Sequence, residues 1–555
     1  MSVIVIGAGF SGLWAARTLQ AGSRSVQVTV LEGSGRVGGR AHTLQTEHAG
    51  QVELGATWLH GIVGHPAYDL AVERGLVQAS DKQRAKSQWG MSVFVREDQA
   101  EPMEQEDAKV AALAGKLYSN AVEEAQEPQH LNGGATVGAF LRQKWQQVRK
   151  ERGSDPIWAE AWQWRENLQR AIDGCHTTDE MSSAGLAAYS ELKGPNMPLS
   201  CGYSKIAGVI AEDLDVRFQH VVERIEWGES GASVHCSSGA TFKCDAVICT
   251  VSLGVLKEGH GRLFDPPLPM PKQSAIERLG MGIVDKLFIR FRPNSSATDG
   301  SSAQESLPGR NVLSYQLLWK VDADNQSWDS SSPAGNADGG KVSTARRLWW
   351  QGSYSLRIWG PEFLAVGRGG EANADAVVPD TTLQTEGRGR PQQPAVADTK
   401  CIQGIKGGSD TIDVSTGKED IWAVMWMSGE AAEEMEACTD AEVHAGIQKV
   451  LDAFPAIKVP RDFSILRTRW GSDVLHRGSY SYVSARSSPA DVETLSQPVE
   501  CKDADGMTRP ILLFAGEATH VHHIGTVHGA CFTGEREAQN LMRYFQEKSN
   551  AAVPV

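Results

Sequence analysis

The first forty residues constrain this chain more than any other stretch. Val3-Ile4-Val5-Ile6 is an uninterrupted apolar run, followed by Gly7-Ala8-Gly9-Phe10-Ser11-Gly12. An apolar run without polar alternation reads as a parallel strand buried on both faces. Gly7 permits a tight turn, Gly9 lets the backbone approach a pyrophosphate, and Gly12 lets the following helix pack closely. That helix N-terminus offers N–H groups and a positive dipole end to phosphates. A second run, Val26 to Leu31, ends at Glu32, twenty residues after Gly12. A carboxylate there can accept hydrogen bonds from ribose hydroxyls. Strand, turn, helix, strand and acid fall in order, so the segment reads as a dinucleotide-binding unit.

At 555 residues the chain has room for two domains or more, each with an ample core. A formal net charge of −14 argues against nucleic-acid binding as the main task and is compatible with cationic ligands. The nine cysteines include no C-x-x-C pair. They read as reduced thiols, not as a disulfide frame or zinc site, and no metal site is expected. The chain opens directly into its first strand and carries no apolar run of about 18 residues. The expectation is therefore no leader, no membrane span and a cytoplasmic location.

Nucleotide-binding signals recur far along the chain, which predicts a discontinuous domain. Residues 104–127 and 136–150 carry helical periodicity, and the cluster Trp145, Trp158, Trp162 and Trp164 predicts helix packing. Strand signals lie at 221–226, 233–236, 246–250, 286–291, 421–426 and 511–514. Helices are predicted at 440–453 and from about 529 to 547. Two Ser/Gly/Asp-rich segments, 293–345 and 367–418, read as mobile surface insertions.

Several segments resemble the flavin-dependent amine oxidases, and within them the polyamine oxidases of the spermine-oxidase-like and cytosolic plant type. Gly35-Arg36-Val37-Gly38-Gly39-Arg40, placed after the second strand, is similar to their FAD signature. Phe514-Ala515-Gly516-Glu517-Ala518-Thr519 and Gly525-Thr526-Val527-His528-Gly529-Ala530 are similar to their second FAD-binding unit. Gly55-Ala56-Thr57-Trp58-Leu59-His60-Gly61 resembles the segment that passes over the flavin ring and ends in the active site. Lys286 matches the lysine that holds a water near flavin N5. Val222 matches a position that contacts the adenine, and Thr468-Arg469-Trp470 completes the match. Tyr480 aligns with one aromatic wall beside the substrate amine, and Thr526 falls where the other wall stands in monoamine oxidases. Ser252 departs from a common proline. Ser479 replaces the cysteine that tethers the flavin in monoamine oxidases.

The resemblance implies an α/β chain: a Rossmann-like FAD domain from 1–60, 198–290 and 480–545, and an α+β substrate domain with a mixed sheet from 61–197 and 291–479. It implies non-covalent FAD held by Gly7, Gly9, Gly12, Glu32, Arg40, Gly55, Ala56, Thr57, Trp58, Val222, Trp470, Glu517, Thr526 and Val527. Lys286, His60 and Tyr480 are the implied catalytic residues, with Glu191, Tyr482 and Thr526 facing substrate. The implied reaction oxidises a secondary amine of a polyamine such as spermine, with oxygen as partner and hydrogen peroxide as product, in a monomer or weak homodimer. A monoamine or amino-acid oxidase, a flavoprotein histone-lysine demethylase, and a binding protein that keeps FAD structurally remain alternatives. The absent cysteine and the presence of His60 weigh against the first of these. The lack of a chromatin-binding module or long helical insertion weighs against the second.

Overall fold

The computed structural model describes residues 1–23, 25–46, 50–78, 81, 91–131, 135–153, 155–292, 313–321, 349–359, 421–502 and 506–551. Two six-stranded sheets organise them. In the first, strand order runs Val499–Lys502, Thr508–Phe514, Ala246–Cys249, Ser2–Ile6, Gln27–Leu31, Asp215–Arg217. All neighbours are parallel except the antiparallel edge strand Val499–Lys502. Alternation along Ser2–Ile6 sends Val3 and Val5 to one core and Ile4 and Ile6 to the other. The first core lies under the helices Phe10–Gly22 and Val527–Ala551, which pack on each other. The second is closed by a four-stranded sheet that includes Gly231–Cys236 and Val222–Gly228.

The second sheet runs Phe463–Arg467, Val284–Phe291, Ile421–Ser428, Ser355–Trp359, Leu313–Leu318, Met91–Arg96. It is antiparallel apart from its last pair. One face buries Leu287, Ile289, Met425 and Leu356 under the helices Glu430–Ala437 and Asp440–Ala453. The other face looks toward a block of three helices, Gln105–Glu124, Val137–Arg152 and Pro156–Asp173. Trp145, Trp158, Trp162 and Trp164 pack in that block's core. Asp155 starts its last helix by accepting from Ile157 N at 3.0 Å.

Two expectations change. Val284–Phe291 belongs to the second sheet, not to the nucleotide-binding unit, because its length pairs with Ile421–Ser428 and Phe463–Arg467. Within the polar segment 293–345, Leu313–Leu318 is an inner strand with Tyr315 and Leu317 buried. Alternating apolar side chains there were hidden by their polar flanks. Residues 293–312, 322–345 and 367–418 lie outside the described residues. No helix among the described residues is long and apolar enough to cross a membrane.

Candidate active site

A cavity of about 2200 Å³ runs from the first βα turn to the cavity-facing side of the second sheet. Every residue expected in the site lines it except Gly12. Gly12 acts from behind: a Cβ there would lie 1.9 Å from Gly7 O, so only glycine lets helix Phe10–Gly22 start against the turn. Gly7 holds φ at +100°, a conformation that favours glycine. At Gly9, by contrast, a Cβ would meet nothing within 4 Å, so this glycine keeps space open rather than permitting packing.

Glu32 is 8% exposed. Its Oε2 accepts from Ala8 N at 2.7 Å and its Oε1 from Ser34 N at 2.8 Å. The carboxylate thus joins the two glycine turns while remaining on the cavity wall. Arg40 lines the cavity, and its Nη1 donates to Glu517 Oε1 at 2.7 Å and Ser479 O at 3.0 Å. Glu517 Oε2 accepts from Ser481 Oγ at 2.5 Å and Gly525 N at 3.0 Å. This buried carboxylate therefore ties the N-terminal turn, the Tyr480–Tyr482 strand and the approach to the last helix into one wall. Thr526 Oγ1 accepts from Gly529 N at 3.0 Å and caps that helix, whose first residue, Val527, also lines the cavity.

At the other end, Lys286 lies on the cavity face of its strand, since Leu287 turns to the core. Its Nζ donates to Glu53 O at 2.7 Å, Gly55 O at 2.5 Å and Thr57 Oγ1 at 2.5 Å. All three ammonium protons thus reach protein oxygens. The lysine fixes the segment Gly55–Trp58, whereas the resemblance implied a bridging water. Trp426, directly opposite on the neighbouring strand, puts its ring 4.6 Å beneath the ammonium. Burial pushes Lys286 down and Glu53 up; the three acceptors favour the charged lysine.

His60 is held neutral, since burial pushes it down to about 4. Behind it lie His65 and His528, both fully buried, with ring centroids 5.1 Å apart. Tyr480 donates its hydroxyl to Ala171 O, so the ring is fixed against the end of helix Pro156–Asp173. Tyr482 donates to Glu180 Oε2 at 2.9 Å. Glu191 is pushed up by burial, opposed by a hydrogen bond from Asn196. Asn196 Oδ1 in turn accepts from Gly61 N at 2.8 Å. The site thus carries a neutral imidazole, a fixed aromatic wall and the acid Glu191 on one cavity lining.

A family model described as flavin containing amine oxidoreductase matches residues 10–338 and 414–542. The chain belongs to this family. Polyamine oxidase 1 of Oryza sativa subsp. japonica is 31% identical over 99% of this chain and 98% of its own length. Probable polyamine oxidase 5 of Arabidopsis thaliana is 26% identical over 98% of each. The human peroxisomal N(1)-acetyl-spermine/spermidine oxidase is 27% identical over 97% of this chain and 94% of its own. Among solved structures, a redesigned putrescine oxidase shares the fold with a TM-score of 0.58 at 16% identity, covering 98% of this chain and 99% of that one.

The residues of this flavin-containing amine oxidoreductase fit FAD. The cavity spans both glycine turns, Gly9 leaves open space at the helix N-terminus, and Gly55 approaches so closely that a Cβ would sit 1.7 Å from Arg40 O. Gly7, Gly9 and Glu32 would hold the nucleotide end, and Gly55 to Trp58, Thr526 and Val527 the ring end. No cysteine lies at the Gly478–Ser479 turn, and Ser479 Oγ donates to Val284 O at 2.9 Å. The flavin is expected to be non-covalent. Acid precipitation should release it into a yellow supernatant, and flavin retained in the pellet would contradict this.

Sequence reasoning missed three residues of this site. Glu53 ends the strand Gly50–Glu53, just before the Gly55–Trp58 segment, and its carbonyl anchors Lys286. Trp426 was legible as part of a strand, but only register places it under Lys286. Asp173 ends helix Pro156–Asp173 and lines the cavity. Burial pushes its carboxyl up to about 6, opposed by Gln169 Nε2 donating at 2.5 Å. The Ala171-Ile172-Asp173-Gly174 stretch carries no motif that could have signalled it.

Proposed function

We propose that this chain is a polyamine oxidase acting in the cytoplasm, with molecular oxygen as acceptor. Its substrate is a secondary amine within spermine, thermospermine or a related polyamine; its products are a shorter amine, an aminoaldehyde and hydrogen peroxide. The observation that carries this reading is one continuous cavity. It joins the glycine-turn end to an arm with an aromatic wall, a neutral histidine and carboxylates. Relatives named polyamine oxidases along nearly the full length support it.

When bound, FAD supplies a two-electron acceptor for the hydride leaving the carbon next to the amine. The chain's own residues prepare that event. A protonated amine has no lone pair to stabilise the iminium, so the reacting nitrogen must be neutral. Burial around Tyr480, Trp58 and His60 disfavours the ammonium, and a His60 held neutral adds no like charge beside the reacting nitrogen. Tyr480, pinned through its hydroxyl, limits the orientations of the carbon–nitrogen bond. Acids on the cavity lining hold the remaining ammonium groups and so select which carbon is presented.

His60→Ala should lower kcat/KM for polyamines by about tenfold or more, roughly 1.4 kcal/mol, with flavin content kept. Unchanged kinetics would make His60 a packing residue. For these acids, Glu191→Gln and Asp173→Asn should weaken long polycations more than short amines. The loss should be about 1.5–3 kcal/mol each, the worth of a charge-assisted hydrogen bond. Asp173, with its carboxyl raised to about 6, is neutral below that pH and an anion above it. KM for polyamines should therefore fall as pH rises through 6 in wild type, and that step should vanish in Asp173→Asn. Equal losses for long and short amines would show that neither acid reads substrate length. A substrate panel with peroxide detection and product identification tests the whole proposal.

A further inference from the structure

Arg165 is a fully buried cation in the helical block, on helix Pro156–Asp173, and it lies outside the cavity lining. A guanidinium stays charged in a protein and carries five N–H donors. Its Nε donates to Ser119 Oγ at 3.1 Å, and its guanidinium carbon lies 5.8 Å from the Tyr118 ring. Nη1 and Nη2 have no hydrogen-bond partner. A buried charge bonded this incompletely is costly and persists only where an opposite charge offsets it. Two acids of the same helix act on it, Asp173 and Glu166.

The two acids differ in what they face. Glu166 is committed to the interior, where Tyr118 donates to its Oε2 and Thr178 Oγ1 donates to its Oε1 at 3.0 Å. Asp173 lines the cavity. Helical spacing puts Arg165, Gln169 and Asp173 in one row, at i, i+4 and i+8. Gln169 is fully buried between them, and its Nε2 donates to Asp173 Oδ2 at 2.5 Å. Its Oε1 is buried without a partner, one turn from the two unpaired donors of Arg165. The row is therefore complementary in sense: guanidinium, amide, carboxylate. Asp173 Oδ1 takes no hydrogen bond among the described residues and is left for the cavity.

Burial pushes the Asp173 carboxyl up, Gln169 and Arg165 pull it down, and Glu166 pushes it up again. Tyr189, Tyr480 and Cys175 also face it, and burial pushes all three up, so they stay neutral. Arg170, on the same helix, acts on Glu166 and Cys175. Arg165 is thus the cation set against Asp173.

We propose that Arg165 is a positioning residue for the substrate: through Gln169 it holds the Asp173 carboxylate toward the cavity, where that carboxylate takes a distal ammonium of the polyamine. This rests on the polyamine reading above and adds to it a residue that touches neither substrate nor flavin.

The test follows KM for spermine against pH in wild type, Arg165→Met, Arg165→Lys and Gln169→Met, with flavin content and thermal midpoint measured for each. Without Arg165 the Asp173 carboxyl rises further and stays neutral to higher pH. The fall in KM expected near pH 6 in wild type should therefore move up by about one pH unit or more in Arg165→Met, the change falling on KM and not on kcat. Arg165→Lys keeps the charge and should hold the step nearer its wild-type position. Gln169→Met keeps the shape and removes the amide, so it should move the step in the same direction as Arg165→Met. In an Asp173→Asn background, Arg165→Met should add no further rise in KM, because the group it acts through is gone. A purely structural role would lower the thermal midpoint and leave the step in place. That result, or equal losses from Arg165→Met in the two backgrounds, would overturn the inference. Should Arg165→Met not hold flavin, Gln169→Met decides, and an unmoved step there overturns it too. If Asp173→Asn removes the step but neither Arg165→Met nor Gln169→Met moves it, this inference alone fails. If spermine is not oxidised while a simple monoamine is, the polyamine reading fails and takes this inference with it.

Discussion

A Gly12→Ala chain is expected to purify without flavin, whereas Gly9→Ala should fold normally and lose only affinity. The difference lies in what a methyl group meets. At Gly12 it would lie 1.9 Å from Gly7 O and 3.1 Å from Thr250 Oγ1. Neither neighbour can yield easily. Gly7 N donates to Leu31 O at 2.8 Å, and Thr250 Oγ1 donates to Ile6 O at 2.7 Å. The helix would have to move off the sheet at the point where its N-terminus faces the cavity. Overpacking of this kind costs about 1–3 kcal/mol in stability. The displaced N–H groups should cost flavin affinity on the order of 10²-fold or more. At Gly9 a methyl meets nothing, so the flavin-free protein should keep its thermal midpoint while the intruding carbon weakens binding. Flavin-to-protein ratios and thermal midpoints of both variants check this. Full flavin occupancy in Gly12→Ala would show that the βα turn does not hold the cofactor.

Lys286→Met should slow turnover by about 10²-fold with FAD still bound. The substitution keeps length and removes the charge and all three donors. Glu53 O, Gly55 O and Thr57 Oγ1 then lose the group that gathers them, and the Gly55–Trp58 wall loosens. The nucleotide end is built from Gly7, Gly9, Glu32 and the Arg40–Glu517 pair, so cofactor content should not change. Stopped-flow measurement separates anaerobic flavin reduction from its reoxidation by oxygen. A loss in reduction alone would mean that Lys286 acts by positioning the wall. A loss in reoxidation would mean that its charge assists electron transfer to oxygen. Wild-type rates in both would remove Lys286 from the catalytic machinery.

The dinucleotide end was legible because its chemistry demands particular residues at particular spacings. A tight turn needs Gly7, close packing needs Gly12, and Glu32 must end the second strand. The first sheet was legible for a related reason, since strands buried on both faces read as plain apolar runs. The second sheet was harder. Leu313–Leu318 and Ser355–Trp359 alternate polar and apolar residues inside polar surroundings, and their partners lie far away in sequence. Register, not local pattern, brings Trp426 under Lys286. Asp173 was invisible because helix length decides which residue reaches the cavity. Arg40 and Lys286 were found, but their partners Glu517, Gly55 and Thr57 could not be read as bonded to them from one sequence.

The most direct test mixes purified flavin-loaded protein with spermine in the absence of oxygen. The yellow absorbance should bleach in a substrate-dependent phase, and admitting oxygen should restore it with one hydrogen peroxide formed per flavin. A flavin that stays oxidised with every polyamine, yet bleaches with a simple monoamine or an amino acid, would contradict the proposed function.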